Sequence, residues 1–380
     1  MSYSPEFSEQ TVLYILLVTY VVSVFIQLIY YWFIFGKLAF YKNVKTPNTK
    51  LLPVSIIICA RNESVNLKKY IPLILEQDYP EFEVLVVDDD SEDETYYFLK
   101  DLSIKYPYLT IIKKNNDINF FKGKKFALAL GIKSAKYDTI LLTDADCYPS
   151  SNQWLRLMQQ PLTSNTEIVL GYGNYEKRKG LLNQLIRFDA LMTAIQYLSF
   201  ALIKLPYMGV GRNLAYTKSL FFKNKGFASH YKIQSGDDDL FINQCADKKN
   251  TAIQIDTNSH TVSLPKTSFK QWFFQKKRHY TTGKYYKFKH QFLLILMPLS
   301  QFAFYTILII LLALSFKVEI VLGLLFLKVL SRTFIIKKCI NKLNEKKIFV
   351  ISLFVELFFV IFNPIFHLSN IIHKQNKWKK

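Results

Sequence analysis

Residues 11–36 are almost wholly apolar and carry no charge. A backbone of that length in hydrocarbon must satisfy every amide internally, so it can only be a helix, and it is long enough to cross roughly 30 Å of lipid. The run is too long for a signal-peptide core, no basic stretch precedes it, and no small-residue cleavage signal follows it. It therefore reads as an anchor, residues 1–36, rather than a processed leader. Glu6 and Glu9 lie ahead of it, and Lys37, Lys42, Lys45 and Lys50 lie behind it. The bias of positive charge towards the inside puts the N-terminus outside and the following chain in the cytoplasm, at the cell membrane.

The other end is also apolar. Residues 292–316 form a second uncharged span. Residues 318–336 carry Glu319, Lys328 and Arg332, and residues 348–368 carry Glu356 and read as broken at Asn363-Pro364. A C-terminal membrane region, 291–372, with two to three helices is expected. Between its last two segments, Lys337-Lys338 through Lys346-Lys347 reads as a basic cytoplasmic loop. Glu356 either marks an intramembrane site or pairs with Lys328 or Arg332 across helices, and the pairing is the favoured reading. Four full crossings would leave the basic tail, 373–380, outside. Either the last segment is re-entrant or interfacial, or the third does not cross.

Half the 380 residues are hydrophobic, more than a soluble domain needs and less than a polytopic carrier shows. The balance suits one domain tethered to a bilayer. Lys+Arg number 49 against 29 Asp+Glu, a net charge of +20. This surplus gathers largely at membrane boundaries and on the tail, which favours a bilayer and anionic substrates over nucleic acid. Cys59, Cys147, Cys245 and Cys339 form no CxxC pair and read as small core residues in a reducing compartment.

Residues 53–286 alternate short β-branched runs (54–60, 82–88, 109–112, 139–143) with amphipathic stretches near 65–77, 92–106 and 124–135. That rhythm predicts an α/β domain with a mostly parallel sheet covered by helices. Gly171-x-Gly173 and Gly209-x-Gly211 lack the third glycine and the strand-to-helix setting of a dinucleotide fingerprint.

Ligands of an open parallel sheet sit at the carboxyl ends of its strands. Asp88 and Asp89 end the second strand, Asp144 and Asp146 the fourth, and Arg61-Asn62-Glu63 follow the first, so all should face one crevice. Crowded carboxylates repel unless a cation or a proton compensates them. An Asp-x-Asp at a strand end suits a hard divalent ion that shares its remaining positions with waters and phosphates. Asp237-Asp238-Asp239 opens a predicted helix, and three carboxylates exceed what capping needs, so one is a candidate general base. Gln275 and Arg278 lie in 269–282, rich in aromatic residues and cations. It reads either as an interfacial helix with snorkelling cations or as one from which Gln275 and Arg278 grip a diphosphate, and opposite faces of one helix allow both. Lys124, after Gly123, is either a phosphate contact or a solvated lysine.

Taken in order, Ala60-Arg61-Asn62-Glu63, Asp88-Asp89-x-Ser91-x-Asp93-x-Thr95, Gly123-Lys124 with Ala127-Leu128, Asp144-x-Asp146, the 236–239 cluster and Gln275-x-x-Arg278 resemble family 2 glycosyltransferases. The resemblance covers roughly residues 53–282. It implies a GT-A nucleotide-sugar-binding domain over 53–286, with an interfacial helix near 267–286, a nucleotide-diphosphate sugar donor, Mg2+ or Mn2+, and inversion at the anomeric carbon. It assigns Asp88, Asp89 and Glu63 to the nucleoside, with Arg61 on the same donor-binding rim, and Lys124 to the departing diphosphate. Asp144 falls against the diphosphate and donor sugar, with Asp146 beside it as metal ligand, so that both border the ion. Asp237 or Asp238 is the base, the family's acidic pair fitting this run in two registers. Gln275 and Arg278 match the Gln-x-x-Arg-Trp motif of membrane-integrated members, but His279 stands where tryptophan is expected.

The function so implied is sugar transfer to a lipid, lipid-linked or glycan acceptor at the cytoplasmic membrane face. A processive polysaccharide synthase is the near alternative, though few spans and the missing tryptophan speak against it. A catalytically inactive, nucleotide-binding membrane scaffold is the alternative from another class.

Overall fold

The computed structural model describes residues 9–42, 51–114, 123–233 and 235–372. The sequence expectations for Glu6, Lys45, Lys50 and the 373–380 tail fall outside them. α1 (Glu9–Ile29) runs through a π-helical stretch (Tyr30–Phe35) into α2 (Gly36–Ala39). The α/β domain opens with β1 (Val54–Ala60), α3 (Ser64–Leu75), β2 (Phe82–Asp88), α4 (Thr95–Lys105), β3 (Leu109–Lys113), α5 (Lys124–Ser134) and β4 (Thr139–Asp144). It continues through β5 (Cys147–Pro149), α6 (Trp154–Gln159), β6 (Ile168–Gly171), β7 (Gly173–Tyr175), α7 (Leu181–Leu202), β8 (Leu214–Thr217) and α8 (Lys218–Lys223). α9 (Asp239–Cys245), β9 (Thr251–Gln254), β10 (Thr261–Ser263) and α10 (Phe269–His279) complete it, and α11 (Phe288–Ala313), α12 (Val318–Lys342) and α13 (Phe349–Ile372) follow.

The main sheet has the order β3-β2-β1-β4-β8-β6-β9, with β8 antiparallel to both its neighbours and every other pairing parallel. A sheet so covered buries both faces of its inner strands, which is why β1 and β4 read as continuous Ile, Val and Leu runs. Ile57 and Leu142 enter the core shared with α5 and α7, while Ile56, Ile58 and Leu141 enter the one beneath α3 and α6. A small sheet, β5-β10-β7, flanks the end of β4.

α1, α7, α11 and α13 each contain a stretch long and apolar enough to cross a membrane. α7 is not lipid-facing, because Leu191, Ile195 and Leu198 are fully buried in the domain core with Phe35 and Leu38 of the first helix. Two sequence expectations are corrected. The basic loop is shorter than its composition implied, since α12 runs to Lys342 and takes Lys337 and Lys338 into the helix. α13 is not broken at Asn363-Pro364. Proline forfeits one backbone hydrogen bond there, while Phe362 and Phe366 pack against α10 on either side and hold the helix together. The pairing expected of Glu356 is found with both partners, Lys328 at 2.9 Å and Arg332 at 2.6 Å.

Candidate active site

Register puts the acidic strand ends in line: Ala60 lies opposite Asp88, and Cys59 opposite Asp144. With β1 between them, Asp88 and Asp144 stand two strand spacings apart, roughly 10 Å. The crevice therefore has two ends.

At the Asp88 end the loops after β1 and β2 are latched together. Asn62, in a left-handed conformation (φ 55°), donates its N–H to Ser91 Oγ (3.0 Å), and Glu92 N–H donates to Asn62 Oδ1 (2.8 Å). Asp93 accepts from Ser64 N (3.1 Å) and Thr95 N (2.9 Å). Against the cost of desolvation, those bonds from Thr95 and Ser64 hold its carboxyl down to about 2. Asp88 is fully buried; its Oδ1 accepts from Ser91 N (3.2 Å), and its Oδ2 has no partner among the described residues. Asp89 is ion-paired with Lys114, a residue the sequence reading did not single out. Glu63 accepts from Asn66 Nδ2 (2.6 Å), and burial pushes its carboxyl above the usual range. Arg61 and Glu63 are half-buried on this rim.

At the other end Lys124 is the hub. Gly123 (φ +112°) turns the chain into α5 in a conformation glycine adopts freely, and Lys124 Nζ then lies 2.6 Å from Asp144 Oδ1 and 3.3 Å from Asp237 Oδ2. Lys124 is thus bound to two of the acidic clusters, and the solvated-lysine reading is set aside. Burial alone would raise the Asp144 carboxyl, but Lys124, then Arg212 and Arg278, hold it below its usual range. Asp146 goes the other way, raised by burial and by the charge of Asp144. Asp238 caps α9: Oδ2 accepts from Gly211 N and Oδ1 from Asp239 N, each at 2.7 Å. Desolvation, followed by repulsion from Asp237 and Asp239, pushes Asp238 up to about 7. Asp239 is spent on structure, accepting from Thr282 Oγ1 (2.5 Å) and Tyr286 OH (2.7 Å).

α10 closes the crevice. Gln275 Nε2 donates to Tyr175 OH (3.3 Å), and the Arg212 guanidinium sits 4.6 Å over the Tyr175 ring. Arg278 is exposed at the rim, where its charge reaches Asp144, and His279 is exposed beside it. Tyr175 is a site residue that sequence reasoning missed, and Arg212, which follows the Gly209-x-Gly211 run there, was given no role of its own. The available signal was Gly173, where a Cβ would lie 2.5 Å from Arg212 Nε, so only glycine leaves the guanidinium its place.

The residues fit a hard divalent ion. One ligand atom each from Asp144, Asp146 and Cys147 lie within 4.8 Å of one another. Burial pushes the Cys147 thiol well above its ordinary value, and its Sγ is 2.8 Å from Ser263 Oγ, so the donors on offer are two carboxylates rather than a thiolate. The mutual repulsion that raises Asp146 is what a cation between the two would relieve.

Residues 55–222 match the model of glycosyl transferase family 2. This domain is a family 2 glycosyltransferase domain with the GT-A fold. Among curated relatives, the poly-beta-1,6-N-acetyl-D-glucosamine synthase of Staphylococcus epidermidis is 32% identical over 125 residues, 31% of this chain and 28% of that protein. The beta-monoglucosyldiacylglycerol synthase of Trichormus variabilis is 27% identical over 132 residues, 34% of this chain and 26% of that protein. The aligned part thus spans about a quarter of each relative. Among solved structures, the mannosyltransferase PcManGT from Pyrobaculum calidifontis, in complex with GDP-Man and Mn2+, superposes with TM-score 0.59 at 18% identity. It covers 88% of this chain and 99% of that one, a likeness of fold.

Proposed function

We propose that the protein transfers a sugar from a nucleotide-diphosphate donor to a lipid, lipid-linked or glycan acceptor at the cytoplasmic face of the membrane, with inversion. The observation that carries this reading is the meeting of Asp144, Lys124 and Asp237, from three segments far apart in the chain, within one ion-paired cluster. The names of two relatives, a synthase of a poly-N-acetylglucosamine and a synthase of a monoglucosyldiacylglycerol, support the same pair of acceptor classes.

In this reading the nucleoside lies at the Asp88 end, against Asp88, Asp89, Glu63 and Arg61, and the diphosphate extends towards Lys124. Asp144 and Asp146 would hold Mg2+ or Mn2+, which supplies positive charge to the diphosphate as it leaves. Lys124, Arg212 and Arg278 add fixed positive charge to the same place, in a cleft where it acts strongly. Asp238 takes the proton from the acceptor hydroxyl; its carboxylate is already oriented by two backbone N–H groups and its midpoint is near neutrality. The hydroxyl oxygen then bonds to the anomeric carbon as the carbon–oxygen bond to the diphosphate breaks.

Detergent-purified protein would be screened against nucleotide sugars with Mg2+ or Mn2+, with and without membrane lipid extract, measuring nucleoside diphosphate release. One donor should support release that the lipid stimulates, and product length would separate single transfer from polymerisation. No release from any donor would overturn the reading.

A further inference from the structure

α1, α11 and α12 form a bundle whose two ends are identified by contacts. At the far end Tyr14 packs on Phe316, and Tyr20 OH donates to Val321 O (3.1 Å). At the near end α2 packs on α7, and the turn after α12 enters the domain, where buried Glu345 pairs with Arg187 and accepts from Tyr172 OH (2.9 Å). α12 therefore returns to the domain's side, and α13 starts there.

A helix that crossed from this start would leave the domain. α13 does not. Its first turns touch the bundle, with Lys337 over Phe349 and Glu356 held by Lys328, Arg332 and Gln301. From there it runs beneath the domain. Phe359 stacks on Phe188, Tyr280 OH donates to Asn363 Oδ1 (2.9 Å), and Phe366 stacks on Tyr280 and packs at a tilt on Phe273. Phe366 is about 25 Å along the helix from Phe349, yet it is still buried against α10. Among the described residues no α13 side chain joins the bundle's far cluster of Tyr20, Phe304, Leu311 and Val321.

The opposite side of α13 is an unbroken apolar stripe: Val350 (70% exposed), Leu353, Phe354 (72%), Leu357, Ile361 and Ile365. We propose that α13 does not cross the bilayer but lies in the leaflet on the domain's side, the stripe seated in acyl chains and the inner face cradling the Gln275–Arg278 helix. The occupant is lipid because the stripe contains no polar side chain and belongs to a helix packed against α11 and α12, whose own exposed faces carry Phe302 and Phe326. A helix lying this way also leaves the basic tail on the domain's side. The catalytic rim then rests on the membrane through α10, the element that carries Arg278.

The test uses full-length protein in vesicles of phosphatidylcholine and phosphatidylglycerol. A genetically encoded nitroxide replaces Phe354, Leu357, Ile361 or Ile365, one at a time, and its collisions with oxygen and with a water-soluble nickel chelate give its depth. All four positions should share one shallow depth, roughly 5–10 Å into the acyl boundary. Depth that climbs to the bilayer centre and falls again would overturn the proposal, as would spin–spin broadening between copies with no oxygen preference. An epitope appended after Lys380 supplies a second readout. It should be digested from the same face as the catalytic domain, and digestion only from the opposite face would overturn the proposal. Neither readout needs turnover, so failure here leaves the sugar-transfer reading standing, and the reverse.

Discussion

The Asp238 carboxyl is lifted from 3.8 to about 7, first by desolvation and then by Asp237 and Asp239, with Lys124 opposing. If Asp238 is the base, only its ionised form accepts the acceptor's proton. A group with a midpoint near 7 is about one-tenth ionised one pH unit below it and about nine-tenths ionised one unit above. Turnover at saturating donor should therefore rise about tenfold between pH 6 and pH 8, then level. The same shift has a stability consequence of fixed sign. Because the folded value is raised, stability is whole below about 3.8 and is lost as pH climbs through 7. The loss is about 4 kcal/mol at most, and smaller because the side chain keeps some solvent contact. Asp238→Asn should abolish transfer yet melt above wild type at pH 8, with the gap closing towards pH 4. Asp237→Asn, which removes the main charged contributor, should move the rate limb to lower pH and keep activity. The assays are nucleoside diphosphate release across pH and thermal unfolding in detergent. A flat profile, a midpoint near 4, or loss of all activity in Asp237→Asn with retention in Asp238→Asn would refute this assignment.

Asp146→Asn should eliminate transfer and weaken Mn2+ binding, followed by the Mn2+ resonance of purified protein without any donor. Arg212→Ala should lower kcat/KM roughly tenfold to hundredfold through loss of fixed charge at the leaving group, and Gly173→Ala should mimic part of it by displacing the guanidinium. Arg187→Met should cost about 3–5 kcal/mol in denaturant unfolding, because Glu345 would be left buried and unpaired, and the added change Glu345→Gln should restore much of that.

Much of the fold was legible because burial on both faces imposes its own composition. The Ile and Val runs of β1, β2 and β4 left little choice but a covered parallel sheet, and with it the rule that places Asp88 and Asp144 at one edge. What pairing chemistry does with each carboxylate was not legible. Asp89 and Lys114 are 25 positions apart in the chain, and nothing local couples them. Asp93 stood in the sequence only as one position of the Asp88–Thr95 motif and proves to be a loop latch. The role of Arg212 was not legible because it depends on Tyr175, on a strand of the other sheet, and on the space left by Gly173. Composition also misjudged α13: a proline in an apolar run reads as a break, and only the aromatic packing on both sides shows why it is not.

The run of three aspartates illustrates how tertiary context divides identical residues. Asp237 faces Lys124, Asp238 is fixed by Gly211 N–H, and Asp239 turns away to Thr282 and Tyr286. The last of these ties α9 to the segment leading into α11, so the helix that presents the proposed base is braced from the side of α11. α10 is braced from below as well, by α13 and by the Lys276–Asp189 pair at 2.7 Å. The proposed base and the proposed diphosphate clamp thus share one support. A disturbance of the membrane helices should then shift Arg278 and Asp238 together, lowering turnover more than it weakens the nucleoside binding proposed at Asp88, whose latch lies wholly within the loops after β1 and β2.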